Sequence, residues 1–167
     1  MGAPCPSHLG TWVARPPMKL TIASISPRTR SKSEATDRLT ADYLARIARY
    51  AACSSETHAS EDALFAALDK FSTRTVAHLI LLESTGKQLT SEEFAHTLGQ
   101  LRDSGIQRIV LAIGPADGWS AAARTRANLL FSLGRITLPH ELARAVLAEQ
   151  IYRALTILAG HPYHSGH

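Results

Sequence analysis

An α/β fold, with a mostly parallel sheet and helices on both of its faces, is what this sequence predicts, and three observations carry that prediction. Strand-like and helix-like segments alternate along the chain, so the connections are crossovers and the strands pair in parallel. The run Ala77-His78-Leu79-Ile80-Leu81-Leu82 is apolar nearly throughout, the pattern of a strand buried on both faces. The strand-like runs end in glycine-bearing loops, which is how open α/β sheets build a small-molecule site at their carboxyl edge.

Bulk properties set the limits. A chain of 167 residues is enough for one domain with a real core, not comfortably for two. The formal charge of +4 permits an RNA or phosphate partner without requiring one, since a solvated surface with surplus Lys and Arg explains it equally. Cys5 and Cys53 form no paired motif, which suggests a reducing compartment. No apolar run approaches the roughly 18 residues of a membrane span, and the N-terminal stretch lacks the apolar centre of a signal peptide. The expectation is a cytoplasmic protein with no membrane segment.

Taken in order, residues 1–17 hold four of the eight prolines and read as a disordered leader ahead of a domain spanning 18–167. Lys19–Ser26 alternates and is β-rich, so it reads as the first strand. The basic loop Pro27–Ser33 follows, with Arg28, Arg30 and Lys32 placed to touch an RNA backbone or simply to be solvated. Ser33 is a candidate N-cap for a helix from Glu34 to about Tyr50, with Leu39, Tyr43, Leu44 and Ile47 inward. A short strand around Cys53–His58 suits the architecture, but its propensity is poor. Glu61–Phe71 reads as a helix with Leu64, Phe65, Leu68 and Phe71 inward, and Ala77–Leu82 as the buried strand. Thr90 with Glu93 makes a capping box for a helix running to about Asp103. Arg108–Ile113 and about Leu129–Leu133 are further strands, with a short helical run between them. Pro139 then opens a long helix that stops at Gly160.

Loops at Leu82–Lys87, Gly114–Gly118 and Leu133–Leu138 would meet at the sheet's carboxyl edge, exposing backbone N–H and C=O groups. Such groups can read an adenine edge or hold a carboxylate, and glycine allows close approach and positive φ. Singly, each of Gly114, Gly118 and Gly134 is better explained by simple turn chemistry, and it is the three loops together that favour a site. His140 and Arg144 lie four apart on one face of the last helix. Arg144 is a candidate for RNA phosphate or for orienting a base, and a salt bridge to Glu141 or Glu149 is the plainer alternative. His161, His164 and His167 recur every three residues, but no cysteine or acidic cluster supports a metal there, and none is expected.

Ile113-Gly114 with Gly118, Thr137-Leu138-Pro139-His140, Arg144, Leu147, Glu149-Gln150, Tyr152-Arg153-Ala154 and the closing Tyr163-His164 together resemble the RlmH family. These are SPOUT-class methyltransferases that modify N3 of a pseudouridine in large-subunit (23S) ribosomal RNA. The resemblance covers most of the chain from Met18 and is dense from Ile109 to His164. It implies a C-terminal trefoil knot, a homodimer, S-adenosyl-L-methionine as cofactor, and 23S ribosomal RNA in the assembled ribosome as partner. It also implies that Leu82, Gly114, Leu133, Gly134, Arg135, Ile136, Thr137 and Leu138 line the cofactor pocket. Arg144, Tyr163 and His164 would be catalytic, with Tyr163 stacking on the base and His164 hydrogen-bonding it or assisting proton removal.

The chain departs from the family at two places. The segment around Ala51–Ser60 is shorter than usual. The loop usually written Gly-Gly-Pro-Glu-Gly reads Gly114-Pro115-Ala116-Asp117-Gly118, and Pro115 lacks an N–H and has φ near −65°. If the second glycine needs positive φ or donates to the cofactor, this loop must be rearranged. The rival readings are a non-catalytic RNA-binding homologue, a SPOUT methyltransferase with another RNA target, and an unrelated flavodoxin-like phosphate or nucleotide binder.

Overall fold

The computed structural model describes residues 18–26, 34–70, 72 and 75–164, so the leader 1–17, the basic loop 27–33 with Ser33, and Phe71 lie outside the described residues. The elements are β1 (Lys19–Ile25), α1 (Glu34–Ile47), β2 (Ala52–His58), α2 (Glu61–Lys70), β3 (His78–Gln88), α3 (Ser91–Asp103), β4 (Arg108–Ile113), α4 (Ala121–Arg126), β5 (Leu129–Ser132), α5 (His140–Leu158) and a 3₁₀ turn at Pro162–His164. Every strand pairing is parallel, in the order β2-β1-β4-β3-β5.

Alternation along the central strands feeds two cores. Ile80, Ile109, Leu111 and Ile113 pack with Ile47 of α1, Phe94 and Leu98 of α3, and Leu147 and Ile151 of α5. Their neighbours Leu79, Leu81, Val110 and Ala112 pack with Leu64 and Leu68 of α2 and Ala123 of α4. Helices therefore cover both faces, as expected. Phe94 and Phe131 stack with ring centroids 4.9 Å apart, joining α3 to β5. Among the described residues no helix is long and apolar enough to cross a membrane.

One ambiguous element proves to be a strand, and two others differ from expectation. β2 forms despite its Ser-, Thr- and Glu-rich sequence, because it is an edge strand paired only with β1, and hydroxyl contacts reinforce the pairing (Thr21 to Ser54, 3.4 Å; Ser24 to Thr57, 3.3 Å). β3 does not stop at Leu82. It continues to Gln88, with an irregularity between Leu82 and Lys87, and pairs with β5 on either side of that break. Leu39 lies 43% exposed on α1, because the inward stripe runs through Thr40, Tyr43, Leu44 and Ile47. Thr40 can be buried there because its hydroxyl donates to the Thr36 carbonyl at 2.8 Å.

Helix ends follow their local signals. Thr90 Oγ1 accepts from the Glu93 N–H at 3.1 Å while Glu93 Oε2 accepts from the Thr90 N–H at 2.8 Å, so the capping box is complete. Thr90→Ala should lower unfolding free energy by about 1 kcal/mol, read as a shift of the urea midpoint at unchanged slope. α5 ends where Gly160 turns to φ +67 and the His161 N–H donates to the Thr156 carbonyl at 2.9 Å.

Candidate active site

Leu82 of β3 lies in register with Ile113 of β4 on one side and Phe131 of β5 on the other. The end of β4, the end of β5 and the irregular stretch of β3 after Leu82 therefore lie side by side at the sheet's carboxyl edge. Side chains tie them together. The Trp119 indole N–H donates to the Leu82 carbonyl at 2.8 Å, joining the loop after β4 to the end of regular β3. His140 Nε2 lies 2.9 Å from the Gly114 carbonyl, joining the start of α5 to the same loop. The Ser132 hydroxyl has its one proton within reach of the carbonyls of Gly134 (2.9 Å) and Ser84 (3.2 Å) and accepts from the Gly134 N–H (3.2 Å). Glu83, 8% exposed, holds Arg124 of α4 at 2.9 Å.

The residues expected around a cofactor fall into two groups. Leu82 and Gly114 are framework. The Leu82 side chain packs against the first core, and a Cβ on Gly114 would sit 2.8 Å from the Trp119 ring. Gly114 is thus required by the indole. The second group is the segment 133–138. Leu133 and Leu138 pin its ends to the core, while Arg135, Ile136 and Thr137 are exposed, Ile136 at 83%. Gly134 has φ +126 and nothing within 4 Å of where its Cβ would be. Among the described residues the N–H groups of 135–138 donate to no backbone carbonyl. An open cradle with free donors fits a planar heterocycle edge or a carboxylate, so this segment suits S-adenosylmethionine.

Arg144 is paired, but not with Glu141 or Glu149. Its guanidinium hydrogen-bonds Asp37 of α1, because α1 packs across this face of α5. Arg144 Nε is buried without a hydrogen-bond partner among the described residues. Tyr163 lies over the middle of α5. Its ring meets Tyr152 edge-on at 4.7 Å and carries the Arg153 guanidinium at 5.1 Å, and its hydroxyl reaches Glu149 at 3.3 Å. Glu149 also accepts from Arg153 Nε at 2.9 Å. Burial raises the Tyr163 phenol well above its ordinary pKa, reinforced by Tyr43 and by the Glu149 carboxylate, so it acts as a donor and a ring, not as a base. At 1.5 Å rise per residue, Glu149 lies about 13 Å along α5 from His140. The anchor of Tyr163 on α5 is therefore about two and a half turns beyond the start of the helix. His164 closes the 3₁₀ turn beside it. Burial pushes the Cys53 thiol up to about 11, which makes it a packing residue and no nucleophile.

The family described as "Predicted SPOUT methyltransferase" matches residues 18–164. The chain belongs to this SPOUT methyltransferase family. A protein of Koribacter versatilis named ribosomal RNA large subunit methyltransferase H is 47% identical over 150 residues, covering 90% of this chain and 100% of that protein. A protein of the same name from Brucella ovis is 40% identical over 151 residues, covering 90% of this chain and 82% of that protein. The resemblance to the RlmH family is borne out. The crystal structure of the SpoU methyltransferase AviRb from Streptomyces viridochromogenes, solved in complex with the cofactor AdoMet, has a TM-score of 0.50 at 11% identity. The likeness covers 87% of this chain and 60% of that one, and it concerns the fold alone.

In this SPOUT chain, Pro115 stands at the start of a turn within the Gly114–Gly118 loop. The Gly118 N–H donates to the Pro115 carbonyl at 3.0 Å, closing a turn in which Gly118 alone takes positive φ (+82). Pro115 opens that turn, where neither an N–H nor positive φ is needed. Sequence reasoning missed Trp119, Ser132, Asp37 and Gly86. Trp119 had a signal, a lone indole directly after a glycine loop. The others lie far in sequence from the groups they meet.

Proposed function

We propose that this protein transfers a methyl group from S-adenosyl-L-methionine to N3 of a pseudouridine in large-subunit (23S) ribosomal RNA. The observation that carries this reading is the open segment 133–138, with its cradle at Gly134 and its free N–H groups, held against the ends of β3 and β4. The names of the relatives from Koribacter versatilis and Brucella ovis support the RNA class.

When bound, S-adenosylmethionine supplies an electrophilic methyl group on sulfur. This chain's residues do the rest. Leu133, Gly134, Arg135, Ile136, Thr137 and Leu138 hold the adenine through backbone groups, while Leu82 and Gly114 shape the framework behind them. Arg144, oriented by Asp37, presents the exposed part of its guanidinium to an RNA phosphate or base oxygen. Tyr163 stacks on the pseudouridine. His164 takes the N3 proton, a general-base contribution of about 10²–10⁴-fold, and positioning provides much of the remainder.

The working unit is a homodimer acting on the assembled ribosome in the cytoplasm, with residues 18–167 as its methyltransferase domain and 1–17 as a leader outside it. Two features support the dimer. The α1–α5 side of the molecule carries exposed Leu39 and Leu142 (43% and 38%). Tyr163 is anchored about two and a half turns along α5, and in this reading the partner's tail completes each site. A knotted C terminus, with α5 passing through the preceding loops, belongs to the same reading.

Calorimetric titration of the dimeric protein with S-adenosylmethionine should show saturable binding at one cofactor per chain or per dimer, and methylation should follow when ribosomes are added. Folded, dimeric protein that binds RNA but no cofactor, with or without ribosomes, would replace this reading with the RNA-binding homologue.

A further inference from the structure

We infer that Trp119 is a positioning residue for the cofactor pocket, bracing the Gly114–Gly118 loop against the end of β3 through its indole N–H and its ring. The inference rests on the cofactor reading above and adds a residue to it.

Trp119 is large, amphipathic and 4% exposed, at the junction of a loop and α4. A buried indole is expected to find an acceptor, and the acceptor here is specific. The Leu82 carbonyl, 2.8 Å away, lies at the last regular β3 pairing with β4 and β5, just before the strand becomes irregular. The ring face fills the space a side chain would occupy at Gly114, within 2.8–3.2 Å of the Cβ position. Gly114 is therefore fixed from two directions, by the indole on its α-carbon and by His140 on its carbonyl. Trp119 itself cannot drift. Ser120 next to it caps α4 through Ala123 N–H (3.0 Å), and the Ser120 N–H donates to Glu61 of α2 at 2.9 Å.

The consequence is a loop held in its binding geometry before any ligand arrives. Loops ordered only on binding subtract that ordering from affinity. Removing the N–H while keeping an aromatic ring leaves the Leu82 carbonyl without its partner and frees the loop to reorient. Phenylalanine makes that change. The effect belongs in cofactor affinity, because Trp119 packs in the second core while Tyr163 of the tail packs against the first.

The test compares wild type with Trp119→Phe by calorimetric titration with S-adenosylmethionine, beside thermal unfolding without ligand and steady-state methylation. Trp119→Phe should bind about tenfold more weakly, as loss of one buried hydrogen bond implies, with KM for the cofactor raised and kcat held within about threefold. Equal affinities overturn the inference, and so does a fall in kcat at unchanged cofactor KM. Should Trp119→Phe fail to fold, a Trp12→Phe protein keeps Trp119 as its single indole. Its emission should be that of a buried indole before S-adenosylmethionine is added and stay so at saturation, and an indole that passes from exposed to buried on binding overturns the inference, because the ligand would then order the loop. Wild-type protein that binds no cofactor removes the cofactor reading itself, a result seen before any Trp119 comparison.

Discussion

Gly86→Ala should be the most destabilising single-methyl change among the described glycines. A Cβ at Gly86 would sit 2.7 Å from the carbonyl carbon of Leu130 and 2.8 Å from both the Leu130 oxygen and the Phe131 nitrogen. All three are backbone atoms of β5, a strand pinned in register to β3 before and after this point. A flexible side chain could swing aside, but a laddered backbone cannot without breaking its pairing. Overpacking usually costs about 1–3 kcal/mol, and a rigid obstacle belongs at or above the top of that range. For a domain of this size that corresponds to a fall in Tm of roughly 6–12 °C. Gly105→Ala is the matched control. Gly105 has φ +86 and open space around its Cβ position, so only the left-handed backbone cost of about 1–2 kcal/mol applies. Urea unfolding of the two variants separates them. If Gly86→Ala is no less stable than Gly105→Ala, the crossing of β3 over β5 is looser than described.

Ending the chain after Gly160 should remove at least about 100-fold of the methylation rate, the scale of a lost general base alone, while cofactor binding stays near wild type. The deletion removes Tyr163 and His164 but leaves the 133–138 segment and its ties through Ser132 and His140 in place. It also strips the ring that covers Tyr152, a stability cost of roughly 1 kcal/mol. In the proposed homodimer, with Tyr163 anchored at Glu149, the missing groups would act on the partner's loops. A tail-less chain co-folded with a Gly134→Val chain should therefore regain activity that neither possesses alone. Gly134 holds φ +126, which valine does not adopt, so that chain offers a tail but no cofactor segment. Activity that survives truncation would remove Tyr163 and His164 from the mechanism. Mixtures that stay inactive would place the tail on its own chain's site.

Much of this architecture was legible because it is local. The buried strands Leu79–Leu82 and Arg108–Ile113, the capping box at Thr90, and the glycine stop at Gly160 each express a backbone preference that a window of ten residues contains. The loops after β4 and β5 at the carboxyl edge followed from the alternation of strands and helices, while the expected loop at Leu82–Lys87 is part of β3. The dense motif from Ile109 to His164 carried the family. What the sequence could not assign were meetings between groups far apart in the chain. Arg144 pairs with Asp37 across two helices, 107 residues distant, where nearer glutamates were the natural expectation. Trp119 reaches a carbonyl 37 residues away, and Gly86 is a glycine because another strand's backbone fills its side-chain space. β2 is a strand by virtue of its neighbour β1, since its own residues argue weakly for one. Local geometry decides which segments are helices and strands. Packing decides which edges and side chains then face one another, and only the folded chain places a donor from α5 beside a carbonyl after β4.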